Sequence, residues 1–518
     1  MRIGVDVGGT NTDAVLVEAS TIRESIKMPT TRDVGDGIVN AIAHVIEAGG
    51  VTPSDIEVVS IGTTHFTNAF VQRRSLDRVG AIRVALPASS ALPPLTDWPS
   101  DLCAQIGDNH IMVRGGYQYD GRINSELDED AIIAAAKNFK DKGIDSIAIS
   151  GLFAPVNDAM ERRTEELIRQ TFPESTITLS SGIGRIGLLE RENAGIMNAS
   201  LASLARSTVS GFKNALRTLG ITAPFYVSQN DGTLMSADFV EQYPVLTFAS
   251  GPTNSMRGAA YLSGIKEAIV ADIGGTTTDI GVLNGGFPRE SSIMVDIGGV
   301  KTNFRMPDVL AIGLGGGSIV SFKDGDVQIG PQSVGYEITQ KSLVFGGDTL
   351  TATDIAVAAG YADIGDPSLV SHLPAEQVEA AVAKIHLMLE DSVDRMKTSR
   401  ADVPLILVGG GSVLINRDIS GVSEIVRDPN AGVANAIGAS IAMVSGEVDR
   451  VYSYETMGRD AALEAATTQA NTQAIEAGAH PGSLSIADIE ELPLAYMPGG
   501  AVRLRVKVVG ELQTAGAN

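Results

Sequence analysis

Short apolar runs alternate along this chain with longer segments whose apolar residues recur every three or four positions. That alternation predicts strands and amphipathic helices following one another. Ile3-Gly4-Val5 and Ala14-Val15-Leu16-Val17 predict a strand–turn–strand hairpin over residues 1–17. Residues 35–48 (GDGIVNAIAHVIEA) carry helical spacing and end at Gly49-Gly50. Residues 56–61 read as a short buried strand running into a loop, Gly62-Thr63-Thr64-His65-Phe66-Thr67-Asn68. The Pro- and Ser-rich stretch 87–99 predicts a surface loop. Helix 128–142, strand 144–152 and helix 160–171 complete a wound α/β pattern.

The second half repeats the scheme. One or two long helices are expected over 190–219 and a strand over 225–228, followed by a turn at Gln229-Asn230-Asp231-Gly232. A strand is expected over 245–248, entering Ser250-Gly251-Pro252. Ile269-Val270-Ala271 and Ile280-Gly281-Val282-Leu283 predict a second hairpin. Strand 405–408 leads into Gly409-Gly410-Gly411-Ser412, with a small-residue helix over 434–444 and an Ala-rich helix over 460–477. Val502, Leu504, Val506 and Val508 alternate with Arg503, Arg505 and Lys507, which predicts a half-exposed strand. Residues 514–518 are expected to fray.

Composition narrows the classes. The chain has 518 residues, room for several domains, with 44% hydrophobic and 19% charged residues. A net charge of −23 argues against a nucleic-acid partner. The single cysteine, Cys103, excludes a disulfide framework and fits a cytoplasmic setting. No signal-like segment and no bilayer-length apolar run is evident, so a membrane role is not expected.

The chemistry lies in a motif that occurs twice. Asp6-Val7-Gly8-Gly9-Thr10-Asn11-Thr12-Asp13 follows the first strand, and Asp272-Ile273-Gly274-Gly275-Thr276-Thr277-Thr278-Asp279 follows the strand at 269–271. Glycines bring backbone N–H groups close to an anion, and hydroxyls and carboxylates can hold phosphate oxygens and a hydrated divalent cation. Two such hairpins are expected to clamp a nucleotide's phosphates between two related domains. The alternative, two tight turns in a duplicated fold, gives no reason for an acid at each end. Asp6 and Asp272 are candidates for holding hydrated Mg²⁺. Gly8, Gly9, Thr10, Asn11, Thr12, Gly274, Gly275, Thr276, Thr277 and Thr278 are candidates for the phosphates. Asp279 and Asp272 are both candidates for orienting a nucleophile, and the sequence does not separate them. Gly315, Gly316 and Gly317 form either a nucleotide or substrate turn or a plain one. Thr63, Thr64, His65 and Asn68 are candidate substrate contacts, with His65 equally readable as a hydrogen-bonded loop residue. His44 and His386 lie in helical patterns and read as structural. Asp296-Ile297-Gly298-Gly299 reads as a strand-end turn near substrate, with Lys301, Asn303 and Arg305 as possible polar contacts.

The order hairpin, helix, hairpin, Gly-Gly-Gly, helix resembles the superfamily of actin, sugar kinases and heat-shock ATPases. That resemblance implies an α/β fold of duplicated actin-like ATPase (ribonuclease H-like) domains with an inserted substrate region. It also implies that Gly409, Gly410 and Gly411 hold the adenosine, and that 198–205 and 434–442 are helices crossing between the domains. Gly62-Thr63-Thr64-His65-Phe66-Thr67-Asn68-Ala69, Asp272 to Asp279, Gly313-Leu314-Gly315-Gly316-Gly317-Ser318, Ser250-Gly251-Pro252 and DPNAGVANAIGASIA are similar to segments of the hydantoinase/oxoprolinase A-subunit family (N-methylhydantoinase A-like). The departures are Thr253-Asn254-Ser255 after Ser-Gly-Pro, Gln229-Asn230-Asp231-Gly232 in place of Ser-Asn-Gly-Gly, and a short C-terminal region. The family resemblance implies an N-terminal domain over 1–180, an ATPase domain over 181–450 and a helix–strand extension over 451–518. It implies a cytoplasmic hydrolase that uses ATP and Mg²⁺ to phosphorylate the oxygen of a cyclic amide (hydantoin, oxoproline or lactam) and so opens the ring. A B-type partner subunit and a homo-oligomeric core are expected with it. Two alternatives remain, a carboxylase subunit of the same family and a small-molecule kinase of the same fold.

Overall fold

The computed structural model describes residues 1–8, 11–19, 21–29, 34–291, 294–323, 326–495, 497 and 499–513. Two mixed sheets carry the two hairpins. In the first, Arg2–Val7 pairs antiparallel with Asn11–Glu18, which pairs antiparallel with Thr21–Pro29. On its other side Arg2–Val7 runs parallel to Val58–Thr63, which runs parallel to Phe225–Ser228. The sheet continues through Leu234–Ser236, Val444–Ser453 and Ala501–Gly510 to Ser485–Pro493 at its edge. The second sheet repeats the centre of the first. Ala268–Ile273 pairs antiparallel with Thr278–Asn284, which pairs antiparallel with Val309–Ile312. Val403–Val408 then runs parallel to Ala268–Ile273. Between Val58–Thr63 and Phe225–Ser228 the chain inserts a four-stranded parallel sheet (Asn109–Arg114, Val79–Leu86, Ser146–Gly151, Thr176–Leu179) with helices Glu129–Asp141 and Ala159–Thr171. Among the described residues no helix is long and apolar enough to cross a membrane.

Helices Ser250–Ser263 and Ala434–Ile441 pack between the two sheets, backbone against backbone. A Cβ on Gly258 would lie 2.0 Å from the carbonyl oxygen of Ala434, and one on Gly438 would lie 1.9 Å from that of Asn254. Only glycine permits this approach. Gly4 is equally close, its Cβ position 2.1 Å from the Ala436 oxygen.

Several elements differ from expectation. The crossing partner of Ala434–Ile441 is Ser250–Ser263, not residues 198–205. Those residues straddle a break at Leu201 between Leu188–Ser200 and Ala202–Thr218. Small residues mark a close approach without naming its partner. Residues 245–247 fall in a short 3-10 helix, Pro244–Thr247, opened by a proline at its first position, and only Phe248 beyond it is extended. Helix Ala434–Ile441 stops earlier than expected, and Val444 already begins a strand. His65 does not sit in a loop but opens a short helix, His65–Val71. Strand Thr21–Pro29 was not expected, although its described residues alternate between half-buried and exposed. The strand Ala501–Gly510 is not half-exposed. Arg505 and Lys507 are buried because four carboxylates, Asp231, Glu290, Glu447 and Asp488, come within salt-bridge distance of them. Residues 514–518 lie outside the described residues.

Candidate functional site at the two hairpins

The two hairpins share one hydrogen-bond register. Asp6 stands opposite Asp13 and Val7 opposite Thr12; Asp272 stands opposite Asp279 and Ile273 opposite Thr278. In the turns, the Gly8 N–H donates to the Asn11 carbonyl and the Gly274 N–H to the Thr277 carbonyl, each at 2.9 Å. Gly9 and Thr10 lie outside the described residues. The duplication extends to the neighbouring parallel strands. Asp6 pairs across to Gly62, where Gly-Thr-Thr begins, and Asp272 to Val408, just before Gly409-Gly410-Gly411.

The crossing helices join the two hairpins chemically. Asn435 donates its Nδ2 to Asp6 Oδ2 at 3.3 Å. The Ser255 hydroxyl sits in short contact with both Asp272 Oδ2 and Asn435 Oδ1. A polar chain Asp6–Asn435–Ser255–Asp272 thus runs from one lobe to the other. Burial pushes both aspartates above the usual carboxylate range. Asn435, the neighbouring Asn254 amide and Lys27 partly oppose this for Asp6, and Ser255 and Lys27 for Asp272. Among the described residues, Oδ1 of Asp6 and Oδ1 of Asp13 are buried without a hydrogen-bond partner, as are both amide atoms of Asn254. Buried polar atoms are normally paired, so these orphans point to a missing polar occupant. Asn254, Ser255 and Asn435 were not foreseen as site residues. The signal was present in the Thr253-Asn254-Ser255 departure, which replaced small apolar residues with polar ones.

The two second acids differ. Lys27 is the cross-strand partner of Asp13 and makes a 2.5 Å ion pair with it. The equivalent partner of Asp279 is Ala311. Burial raises Asp13 to about 6 against the pull of Lys27. Asp279 has no such cation and is raised to about 7, first by burial and then by the charge of Asp272.

The glycine turns divide between scaffold and open site. Gly315, Gly316 and Gly317 are buried, and their N–H groups donate to Ser318 Oγ, the Gly274 carbonyl and the Gly275 carbonyl. They brace the second hairpin from behind and present no N–H to a ligand. Thr278 is buried with them and donates its hydroxyl to the Leu314 carbonyl at 2.7 Å, which corrects its assignment to the phosphates. Thr12 is likewise buried. Gly275 and Thr277 are exposed, and Thr276 is half-buried. Gly409 and Gly411 pack on Asp272, Ile273 and Gly274, whereas Gly410 is exposed with open space where a Cβ would be.

On the first lobe, Thr63 Oγ1 accepts the His65 N–H at 3.1 Å and Thr64 Oγ1 accepts Asn68 Nδ2 at 3.2 Å. The Thr64 N–H reaches the Val7 carbonyl, and Ser250 donates to the Thr63 carbonyl. The Gly-Thr-Thr segment therefore touches both the first hairpin and the crossing helix. Burial lowers the pKa of His65, which favours its neutral imidazole. No three of His, Cys, Asp and Glu come together as a metal cage among the described residues. A Mg²⁺ carried by phosphates needs only one or two carboxylates.

Comparison with known proteins follows this geometry. Residues 2–172 match the hydantoinase/oxoprolinase N-terminal region and residues 191–398 match the hydantoinase/oxoprolinase family. The chain is 26% identical over 530 aligned residues to the acetophenone carboxylase gamma subunit of Aromatoleum aromaticum, covering 90% of this chain and 70% of that protein. It is 27% identical over 434 aligned residues to the caprolactamase subunit alpha of Pseudomonas jessenii, covering 78% of this chain and 60% of that protein. The solved structure of ATP-dependent caprolactamase from Pseudomonas jessenii superposes with a TM-score of 0.80 at 20% identity, over 99% of this chain and 88% of that one. That likeness shows a shared fold. With both sequence segments matched and the hairpins in place, the chain belongs to the hydantoinase/oxoprolinase family.

Proposed function

We propose that this protein is the ATP-using subunit of an enzyme that opens a cyclic amide. The observation that carries the reading is the pair of register-matched hairpins joined through Asn435 and Ser255, with an uncompensated Asp279 on one side only. Amide resonance makes the carbonyl carbon a poor electrophile, and a phosphoryl group moved from ATP to the amide oxygen makes it reactive towards water. Asp6 and Asp272 would hold a hydrated Mg²⁺, and the orphaned Asp6 Oδ1 fits such an occupant. Exposed Gly275 and Thr277, with Gly410 on the facing turn, would line the phosphates and nucleoside. Asn11, with Gly9 and Thr10 before it in the motif, is assigned the same role on the first lobe. Asp13 is neutralised by Lys27 and acts as scaffold. Asp279 stands poised near neutrality and is the residue assigned to accept a proton from the attacking group. Thr64, His65 and Asn68 are assigned to the substrate side.

A caprolactamase subunit alpha and a carboxylase gamma subunit among the relatives support a partner subunit for this chain as well. The carboxylase likeness also favours one second reading, ATP-dependent carboxylation of a small ketone. The deciding experiment assays ATP cleavage and product formation with hydantoin, 5-oxoproline, lactams, or ketones with bicarbonate, with and without the protein encoded beside this one. Ring-opened product coupled to ADP formation is expected. Turnover that requires bicarbonate would replace this reading with carboxylation, and a stable phosphorylated product would replace it with a kinase.

A further inference from the structure

A cavity of about 780 Å³ opens away from the hairpin turns, on the same edge of the nine-stranded sheet. Strand Phe225–Ser228 runs parallel to Val58–Thr63, so the Gln229–Gly232 turn leaves the sheet on the side where Gly-Thr-Thr leaves it. Open sheets place ligands at that edge. The crossing helix spans the two places. Its Ser250 reaches the Thr63 carbonyl, and its Thr253 donates to the Asn230 carbonyl at 3.0 Å. The volume is that of a small-molecule site.

The walls combine an apolar surface with charge. Ile183, Met235, Phe239 and Tyr243 supply the first. On the charged side, nearly every group is paired. Asp449 takes Arg503 at 2.8 Å and Arg305 at 3.1 Å, Glu447 takes Arg305 at 2.8 Å, and Asp231 takes Lys507 at 2.8 Å. Among the described residues, Arg450 and Glu476, exposed at the cavity's margin, make no ion pair, and neither does the half-buried Arg185. Its guanidinium lines the cavity and, among the described residues, makes no hydrogen bond or ion pair; its Nε is buried without a partner. The nearby charges of Arg305 and Arg503 add to the burial that disfavours its cation. Glu447 is half-buried; burial and then Glu290 push its carboxyl up, while Arg305 holds it as an ion pair.

Arg185 is nevertheless held in place. Its N–H donates to Asn303 Oδ1 at 3.2 Å, and Asn303 Nδ2 donates to the Gly187 carbonyl at 3.1 Å. Arg191, fully buried, donates to the carbonyls of Arg185 and Ile186 at 2.8 and 2.6 Å. The loop holds a half-buried guanidinium, its Nε without a partner, in a fixed place on the cavity wall, as a ligand contact requires.

We propose that this cavity is a binding site separate from the hairpins, for a small molecule that presents a carboxylate to Arg185 and an apolar body to the Phe239 wall. It stands independently of the proposed function, which places the ring that is phosphorylated beside the hairpins. The test uses the full chain without nucleotide or metal and measures binding by calorimetry for probe pairs differing in one carboxylate: 5-oxoproline against 2-pyrrolidinone, and hydantoin-5-acetic acid against hydantoin. In at least one pair the acid should bind about tenfold tighter or more, the scale of a charge-assisted hydrogen bond. Arg185→Gln should abolish that preference, and Arg185→Lys should restore part of it, with ATP affinity unchanged in both. An equal response within both pairs, or a preference that survives Arg185→Gln, overturns the proposal. A carboxylate preference in a protein indifferent to ATP would sustain this site while refuting the nucleotide reading.

Discussion

Asp279→Asn should make the protein more stable and less active at once. The folded state holds the Asp279 carboxyl at about 7, against a usual value of 3.8. The sign follows from proton linkage. Between those two values the folded state binds more protons than the unfolded chain, so stability falls as pH rises through that window, and the whole penalty is present above about pH 7. At about 1.4 kcal/mol per tenfold, the separation corresponds to about 4 kcal/mol. The side chain is half-buried with an open side to the cleft, so screening reduces this to about 2–4 kcal/mol. Asparagine keeps the shape and never ionises. At pH 8, without nucleotide and with a chelator present, Asp279→Asn should raise the melting temperature by roughly 2–4 °C, since a chain of 518 residues has a large unfolding entropy. At pH 5 the folded carboxyl is protonated but the unfolded one is already ionised, so about a third of the penalty remains and the gap should narrow to about 1 °C. Turnover at pH 8 should fall by about two orders of magnitude or more while ATP still binds. A variant no more stable than the native protein at pH 8 would refute the account of Asp279 as a half-buried carboxylate without a counter-charge. Near-normal turnover would move the proton-accepting role to Asp272.

Ala311→Lys places opposite Asp279 the ammonium that Lys27 places opposite Asp13. It should draw Asp279 from about 7 towards the value of about 6 held by Asp13, lowering the acid limb of the pH–rate profile by about one unit. Gly315→Ala puts a Cβ 2.6 Å from the Thr276 nitrogen and must displace the second hairpin, so ATP affinity measured by titration should drop about tenfold or more. Gly410→Ala meets nothing within 4 Å and should leave the melting temperature unchanged to about 1 °C, so any loss of ATP affinity reports a ligand in that space. His65→Ala and Asn68→Ala should alter the response to substrate more than ATP affinity; equal loss of ATP binding would place that helix in the nucleotide site.

The sequence exposes the backbone scheme because its signals are local. An acid, two glycines and hydroxyls after an apolar run dictate a tight turn wherever they occur, and both hairpins form as the pattern implies. The partner of the small-residue helix is not local. Residues 434–441 need another surface with its own glycine, and Gly258 lies behind a Ser-Gly-Pro that imitates a turn signal. The same limit hid Ser255 and Asn435, each unremarkable until the crossing sets them between Asp6 and Asp272. It also misled the reading of Arg505 and Lys507. Alternating cations on a strand imply a solvated face unless acids from other strands, here Asp231, Glu290, Glu447 and Asp488, reach them. Gly315, Gly316 and Gly317 show the converse. A run of glycines looks like a phosphate cradle, but only the fold reveals that their N–H groups are already taken.

A duplicated fold begins with equal halves, and a phosphoryl-transfer site needs unequal ones. Two identical acids would either both stay ionised, repelling the incoming phosphates, or both take up protons, leaving no base. Here one residue in the flanking strand separates them. Lys27 fixes Asp13 in an ion pair and lends positive potential to Asp6 and Asp272 as well, while Ala311 leaves Asp279 without a counter-charge. Under the proposed function the two hairpins keep the same register and divide the work: the first lobe would supply fixed charge and the second a carboxyl raised to about 7. The division depends on a position outside both Gly-rich motifs, so the motifs alone identify the fold but not the side on which the chemistry occurs.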